Sequence, residues 1–121
     1  MSIPVDLGDL PDRLDERGHG YLLTTAGEQV KVVACLPLHA EGVIRVTDPG
    51  RGSVANVRAN EVVTLLWSPL VDASDGSPGH SLVVDGTAVV DGDDVLVTAT
   101  GAVLHRPHGS DEGPEVPGGC G

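Results

Sequence analysis

The chain has 121 residues, 40% of them apolar, which suits one domain with one core. That core must be aliphatic, because there is no Phe, one Trp (Trp67) and one Tyr (Tyr21). The net charge is −11, from 18 acids against 7 Lys plus Arg, and such a surface repels nucleic acids and anionic membranes.

No apolar run approaches the roughly 18 residues of a membrane-spanning helix. Residues 1–18 lack the apolar stretch of a signal peptide. Cys35 sits in a strand-like run and Cys120 near the C-terminus, so neither a disulfide nor a metal motif is expected. These features predict a cytoplasmic protein.

Residues 1–8 read as a flexible lead-in. Asp9 looks like a helix N-cap, with Pro11 in the first turn. Leu7, Leu10 and Leu14 fall at helical spacing and Gly18 stops the run, which predicts a helix over 9–17. The acids Asp12, Asp15 and Glu16 form its solvated face. Strands are expected over 19–25 and 30–38, joined by a turn at Ala26-Gly27-Glu28-Gln29. Pro37 limits how far the second strand can pair. A third strand covers 43–47, after a turn at Ala40-Glu41-Gly42. A helix is expected over 53–60, with Val54 and Val57 three apart.

The run 62–67 is continuously apolar and reads as a strand buried on both faces. A Ser/Pro/Gly/Asp loop covers 68–79. Two more strands, 81–90 and 95–104, meet at Asp91-Gly92-Asp93-Asp94, a strong turn signal. Asp85-Gly86 marks a bulge, because apolar residues continue on both sides. The domain is expected to span 9–107, followed by a disordered acidic Gly/Pro tail over 108–121. The prediction is a mainly β fold with two short helices and six strands. Six such strands can close a small barrel or form a twisted open sheet.

The stretch from Val46 to Asn60 draws the chemistry together. A Gly/Pro-rich loop feeds a helix start, which offers free backbone N–H groups and the positive end of the helix dipole. Arg51 and Ser53 add a charge and a hydroxyl. An anion bound to this acidic chain must use Lys31, Arg45, Arg51, Arg58, Arg106 or that helix start. The histidines His19, His39, His80, His105 and His108 show no i, i+4 pair and no HExxH, so no metal site is expected. Cys35 reads as a buried thiol without an activating base. Trp67, at the end of the apolar strand, reads as core or dimer-interface packing, with stacking on a cofactor as the alternative. No residue is singled out as catalytic.

The segments "VIRVTDPGRGSVANVRANEVVTLLW" and "HSLVVDGTAVVDGDDVLVTATGAVLHRP" follow a short helix and a Gly-centred hairpin. In that order they resemble the pyridoxamine 5′-phosphate oxidase-like FMN-binding split barrels, and above all their small actinobacterial branch, which includes users of the deazaflavin F420. The resemblance covers about residues 9–107 and rests on order and spacing. It implies a six-stranded split β-barrel that forms a homodimer, with a flavin in a groove at the interface. It places the flavin phosphate at Thr47 and at the cluster Arg51-Gly52-Ser53, and the ring along the second strand at Lys31, Val32 and Val33, with Trp67 as a further contact. The chain departs from the family at that cluster. Ser53 stands where a Lys is common and Gly52 where an Arg is common, which leaves Arg51 as the cluster's cation.

The resemblance therefore supports an FMN- or F420-dependent oxidoreductase acting on a small molecule. The alternatives are a non-catalytic dimer that binds a flavin or another small anion, and a split barrel that has lost its cofactor. No nucleic-acid or membrane partner is expected.

Overall fold

The computed structural model describes residues 2–69 and 79–106. The expected tail at 108–121, with His108 and Cys120, lies outside the described residues, as does most of the expected loop at 68–79.

Alternating apolar and polar residues build the sheet. The strands are β1 (Ser2–Pro4), β2 (Gly20–Ala26), β3 (Gln29–Cys35), β4 (Leu38–Ala40), β5 (Val43–Val46), β6 (Val62–Trp67), β7 (Ser81–Asp91) and β8 (Asp94–His105). All neighbours pair antiparallel, in the order β3-β2-β6-β7-β8-β5-β4, with β1 also on β8. Helix α1 (Leu10–Asp15) precedes β2, and helix α2 (Arg51–Ala59) links β5 to β6. The fold is mainly β with two short helices, as expected, and the six longer strands are the six expected ones.

The differences are local and have physical causes. Residues 2–4, expected as a lead-in, pair with residues 103–105 as β1. The expected 30–38 strand stops at Cys35, and Pro37 separates it from β4, which pairs with β5. Pro37 lacks the N–H that would continue the ladder. The first helix is shorter than 9–17. A 3₁₀ turn at Leu7–Asp9 comes first, with the Asp6 carboxylate accepting from Gly8 N–H at 3.1 Å, and Asp9 makes no capping bond. Leu10 and Leu14 dock on the sheet, but Leu7 stays 42% exposed. Strand β6 is not buried on both faces. Val63, Leu65 and Trp67 face the core while Val62 is 60% exposed, because an antiparallel sheet here packs one face only.

The core consists of Leu22 from β2, Ile44 and Val46 from β5, Val63, Leu65 and Trp67 from β6, Leu82 and Val84 from β7, and Val95 and Val97 from β8. Val57 of α2 closes it from above. Trp67 Nε1 donates to Gly18 O at 3.2 Å. Gly20 makes room for that indole, since a Cβ there would lie 2.9 Å from Trp67 Nε1 and 2.8 Å from Leu66 O. The expected bulge is present. The β7–β8 register shifts at Asp85/Gly86, and a Cβ on Gly86 would lie 2.5 Å from Thr98 O. Arg17, buried at the end of α1, donates through Nη1 to Ser68 O (3.2 Å) and His80 O (3.0 Å). It ties together the two ends of the segment between β6 and β7. Burial pulls its pKa down from the ordinary arginine value. No helix among the described residues is long and apolar enough to cross a membrane.

Candidate functional site

The start of α2 is set by the loop 47–50 and held by a clamp from the β7–β8 hairpin. Asp48 takes a left-handed φ of 45° and Gly50, the residue before the helix, a φ of 104°. The Asp48 N–H donates to Asp94 Oδ1 at 3.0 Å. Arg45 Nη1 donates to Asp94 Oδ2 at 2.7 Å, and Nη2 to Asp91 Oδ2 at 3.2 Å. The Asp48 N–H, and after it the Arg45 guanidinium, hold the Asp94 carboxyl below the usual aspartate range. Arg45 is thus committed to the clamp and is no longer a free cation for a ligand.

One face of α2 lies along β2 and β3. Asn56 Nδ2 donates to Thr24 Oγ1 at 3.0 Å and Asn60 Nδ2 to Thr25 Oγ1 at 2.8 Å. Gly52, four residues before Asn56, shares that face. Thr24 pairs directly with Lys31 across the β2–β3 ladder, so their side chains share a face of the sheet. The Lys31 side chain runs across Gly52. A Cβ added to Gly52 would meet Lys31 Cε at 2.9 Å and Nζ at 3.2 Å. The pegs Thr24, Thr25, Asn56 and Asn60 carry no chemistry of their own, and nothing in the sequence singled them out. The four-residue spacing of Asn56 and Asn60 on α2 is the signal that could have found them.

The helix start offers donors. Its first helical bond runs from Val54 N–H to Gly50 O at 3.1 Å, which leaves the N–H groups of Arg51, Gly52 and Ser53 without a helical partner. No side chain caps this end. Ser53 is fully buried and its Oγ has no hydrogen-bond partner. On the other side of α2, a hollow of about 210 Å³ is lined by Asp48, Arg51, Val54, Arg58 and Asp93 among others. Two carboxylates therefore share this hollow with two guanidinium groups.

The predicted site residues divide accordingly. Lys31, Arg51 and Ser53 all lie at the start of α2 but point apart: Lys31 runs across Gly52, Arg51 lines the hollow on the other side, and Ser53 is buried. Thr47 lies exposed in the loop just before it. On β3, Val33 lies on the Lys31 side, half-buried against the core, while Val32 is on the opposite face and 55% exposed. Side chains of Val32 and Val33 therefore cannot line one face of a single ligand. Trp67 is 1% exposed, so its ring packs in the core and has no open face for stacking. Cys35 is buried, and burial pushes its thiol up to about 11. No group of His, Cys, Asp and Glu able to hold a metal ion occurs among the described residues.

No protein-family model matches the chain, and no curated protein matches it. Solved structures do. The FAD-binding protein from Mycobacterium smegmatis superposes with a TM-score of 0.61 at 19% identity, over 88% of this chain and 100% of that one. A candidate pyridoxamine 5′-phosphate oxidase from Listeria innocua gives a TM-score of 0.63 at 13% identity, over 81% of this chain and 96% of that one. The fold is the pyridoxamine 5′-phosphate oxidase-like split barrel. A FAD-binding protein from Mesorhizobium loti shares this split barrel, with a TM-score of 0.60 at 14% identity, over 88% of this chain and 94% of that one. At these identities the likeness is one of fold.

Proposed function

We propose that this split barrel binds a flavin by its phosphate at the start of α2 and acts as a flavin-dependent oxidoreductase on a small molecule. The observation that carries the reading is the helix start itself. Three backbone N–H groups without helical partners lie on one turn, and the Lys31 side chain fills the space beside it that a side chain at position 52 would take. Such a donor set suits a phosphate, which carries a charge of about −1.5 to −2. The flavin-binding neighbours of the same fold support this choice of ligand.

In this reading the N–H groups of Arg51, Gly52 and Ser53 bind phosphate oxygens, and Lys31 and Thr47 add side-chain donors. The Arg45–Asp94–Asp48 clamp keeps the loop in place, and the Asn56–Thr24 and Asn60–Thr25 bonds keep the helix seated on the sheet. A bound flavin supplies hydride transfer; the chain's own residues bind and orient, and none is assigned a proton step. FMN is the first ligand to test and F420 the second.

The proposed assembly is a homodimer in the cytoplasm. Its support is the edge strand β3 with the segment that follows it, where Val30 is 61%, Val32 55% and Leu38 55% exposed. A second copy covering these residues removes them from water and finishes the groove.

A thermal melt with FMN, FAD and F420 tests the reading. A ligand at one hundred times its Kd adds about 2.7 kcal/mol of stability. FMN is expected to raise Tm, and purified protein to carry a flavin absorption band or accept one on titration. If none of the three ligands moves Tm, the flavin reading is wrong. Turnover of reduced cofactor against quinones and enones then divides an oxidoreductase from a flavin carrier.

A further inference from the structure

Arg17 holds the chain at one edge of its guanidinium and leaves the other edge unused. Nη1 donates to two backbone carbonyls, Ser68 O at 3.2 Å and His80 O at 3.0 Å, which takes up both of its hydrogens. The opposite edge, Nε with Nη2, is a side that matches a carboxylate in a two-bond fork. Nε is buried without a hydrogen-bond partner, and no described residue accepts from Nη2.

This cation also lacks a counter-charge. Among the described residues no carboxylate forms an ion pair with Arg17, in a chain with 18 acids against 7 Lys plus Arg. Yet the residue is only 9% exposed. A buried charge is costly unless an anion pairs with it. Desolvation outweighs the attraction of nearby Glu16 and lowers the Arg17 pKa, so the place is short of negative charge.

Arg17 lines a hollow of about 250 Å³ between the end of α1 and the link from β3 to β4. Leu14, Leu36, Pro37 and Leu38 give it apolar walls, and His39 and Asp15 add polar groups. A cavity of about 150 Å³ holds benzene, so this one holds an aromatic ring or a short alkyl chain with a polar head. The hollow lies beyond the last residue of β3, whereas Lys31 and the start of α2 lie toward that strand's first residues. It is therefore separate from the helix start.

We propose that this hollow binds a small monocarboxylate, with its oxygens on the Nε–Nη2 edge of Arg17 and its apolar body against Leu14, Leu36 and Pro37. The site stands independently of the flavin reading. Leu38 also belongs to the face given above to a second copy, whose acids are the other source of a carboxylate.

Calorimetric titration with benzoate, hexanoate, benzamide and acetate separates charge from body. Benzoate is expected to bind at least about tenfold tighter than benzamide, which lacks the charge, and than acetate, which lacks the ring. In a nitrogen-15 spectrum the Arg17 Nε–H signal shifts as benzoate is added. Because Arg17 anchors Ser68 and His80, the variant used is Leu36→Glu. Leu36 is 46% exposed, so the fold is kept, and the new carboxylate competes for Arg17. Benzoate affinity then falls about tenfold or more with Tm unchanged, whereas Lys31→Met alters it by less than about twofold. Failure of both benzoate and hexanoate to bind, equal affinity for benzoate and benzamide, an unmoved Arg17 signal, an unchanged affinity in Leu36→Glu or a loss in Lys31→Met each overturns the proposal. A solution mass that falls on adding benzoate shows that a second copy supplies the carboxylate, and overturns the free ligand.

Discussion

Replacing Gly52 by alanine is expected to act in opposite directions on folding and on ligand binding. Gly52 lies in the first turn of α2, and alanine is favoured over glycine in a helix by up to about 1 kcal/mol. The new methyl group meets Cε, Nζ and Cδ of Lys31, at 2.9, 3.2 and 3.4 Å. All three belong to the flexible end of one exposed side chain, so the lysine swings aside and the backbone stays. The folded protein without ligand therefore keeps its stability or gains up to about 1 kcal/mol. FMN affinity falls, because the displaced ammonium no longer makes its charge-assisted bond to phosphate. Such a bond contributes about 1.5–3 kcal/mol, which corresponds to a loss of roughly 10- to 150-fold. Urea unfolding followed by the fluorescence of Trp67, the single tryptophan, measures the first effect. Flavin titration measures the second. An alanine protein that binds FMN as well as the wild type refutes the argument, because Lys31 would then have no part in holding the phosphate. A clear loss of stability refutes it differently, by showing that the space over Gly52 is closed by something less yielding than a lysine side chain.

Gly86→Ala makes the opposite case: its Cβ would sit 2.5 Å from Thr98 O and 3.1 Å from Thr98 C, which are backbone atoms of the paired strand. Overpacking there costs about 1–3 kcal/mol, seen as a lower urea midpoint, and an unchanged midpoint contradicts the tight bulge. Asp94→Asn tests the clamp on the α2 loop. The Asp94 pKa lies below its ordinary 3.8, so the ionised carboxylate stabilises the fold above that value and this contribution is lost as pH falls through the lowered folded pKa. The variant is expected to be less stable than the wild type at pH 7 and to converge with it as the solution is acidified below about pH 4; parallel curves would rule the clamp out. In a Cys120→Ser protein, Cys35 is the single thiol, and burial raises it to about 11. At pH 8, three units lower, about one molecule in a thousand carries the thiolate, so a disulfide reagent reacts slowly until urea unfolds the chain, and a fast native reaction shows an open thiol.

Much of the fold was legible because it rests on local patterns. Apolar, Val-rich runs between turn signals marked the six longer strands, and Asp91-Gly92 marked the hairpin between β7 and β8. Asp85-Gly86 announced a bulge that the register confirms. The two three-residue strands were not legible, since β1 depends on pairing with residues about 100 positions away. Burial on one face of β6 also escaped the sequence, because its outer residues Val62, Thr64 and Leu66 differ little in character from its inner ones.

The candidate site divides along the same line. The sequence by itself determined that residues 46–60 form a loop entering a helix, with its free N–H groups; it put the helix start at residue 53, and the structure starts it at Arg51, so that Arg51, Gly52 and Ser53 form the first turn. The sequence also showed that side chains of that turn bring only one positive charge. Only the tertiary structure decided which cations lie beside it. Arg45 and Asp94, 49 positions apart, are brought together and bind each other. Lys31 pairs opposite Thr24 on β3, and Asn56 bonds to the same Thr24, so Gly52, one turn earlier, is carried under the lysine. A short-range pattern can specify a helix start. The charge that arrives from another strand is set by register and packing, which the neighbouring residues in sequence do not encode.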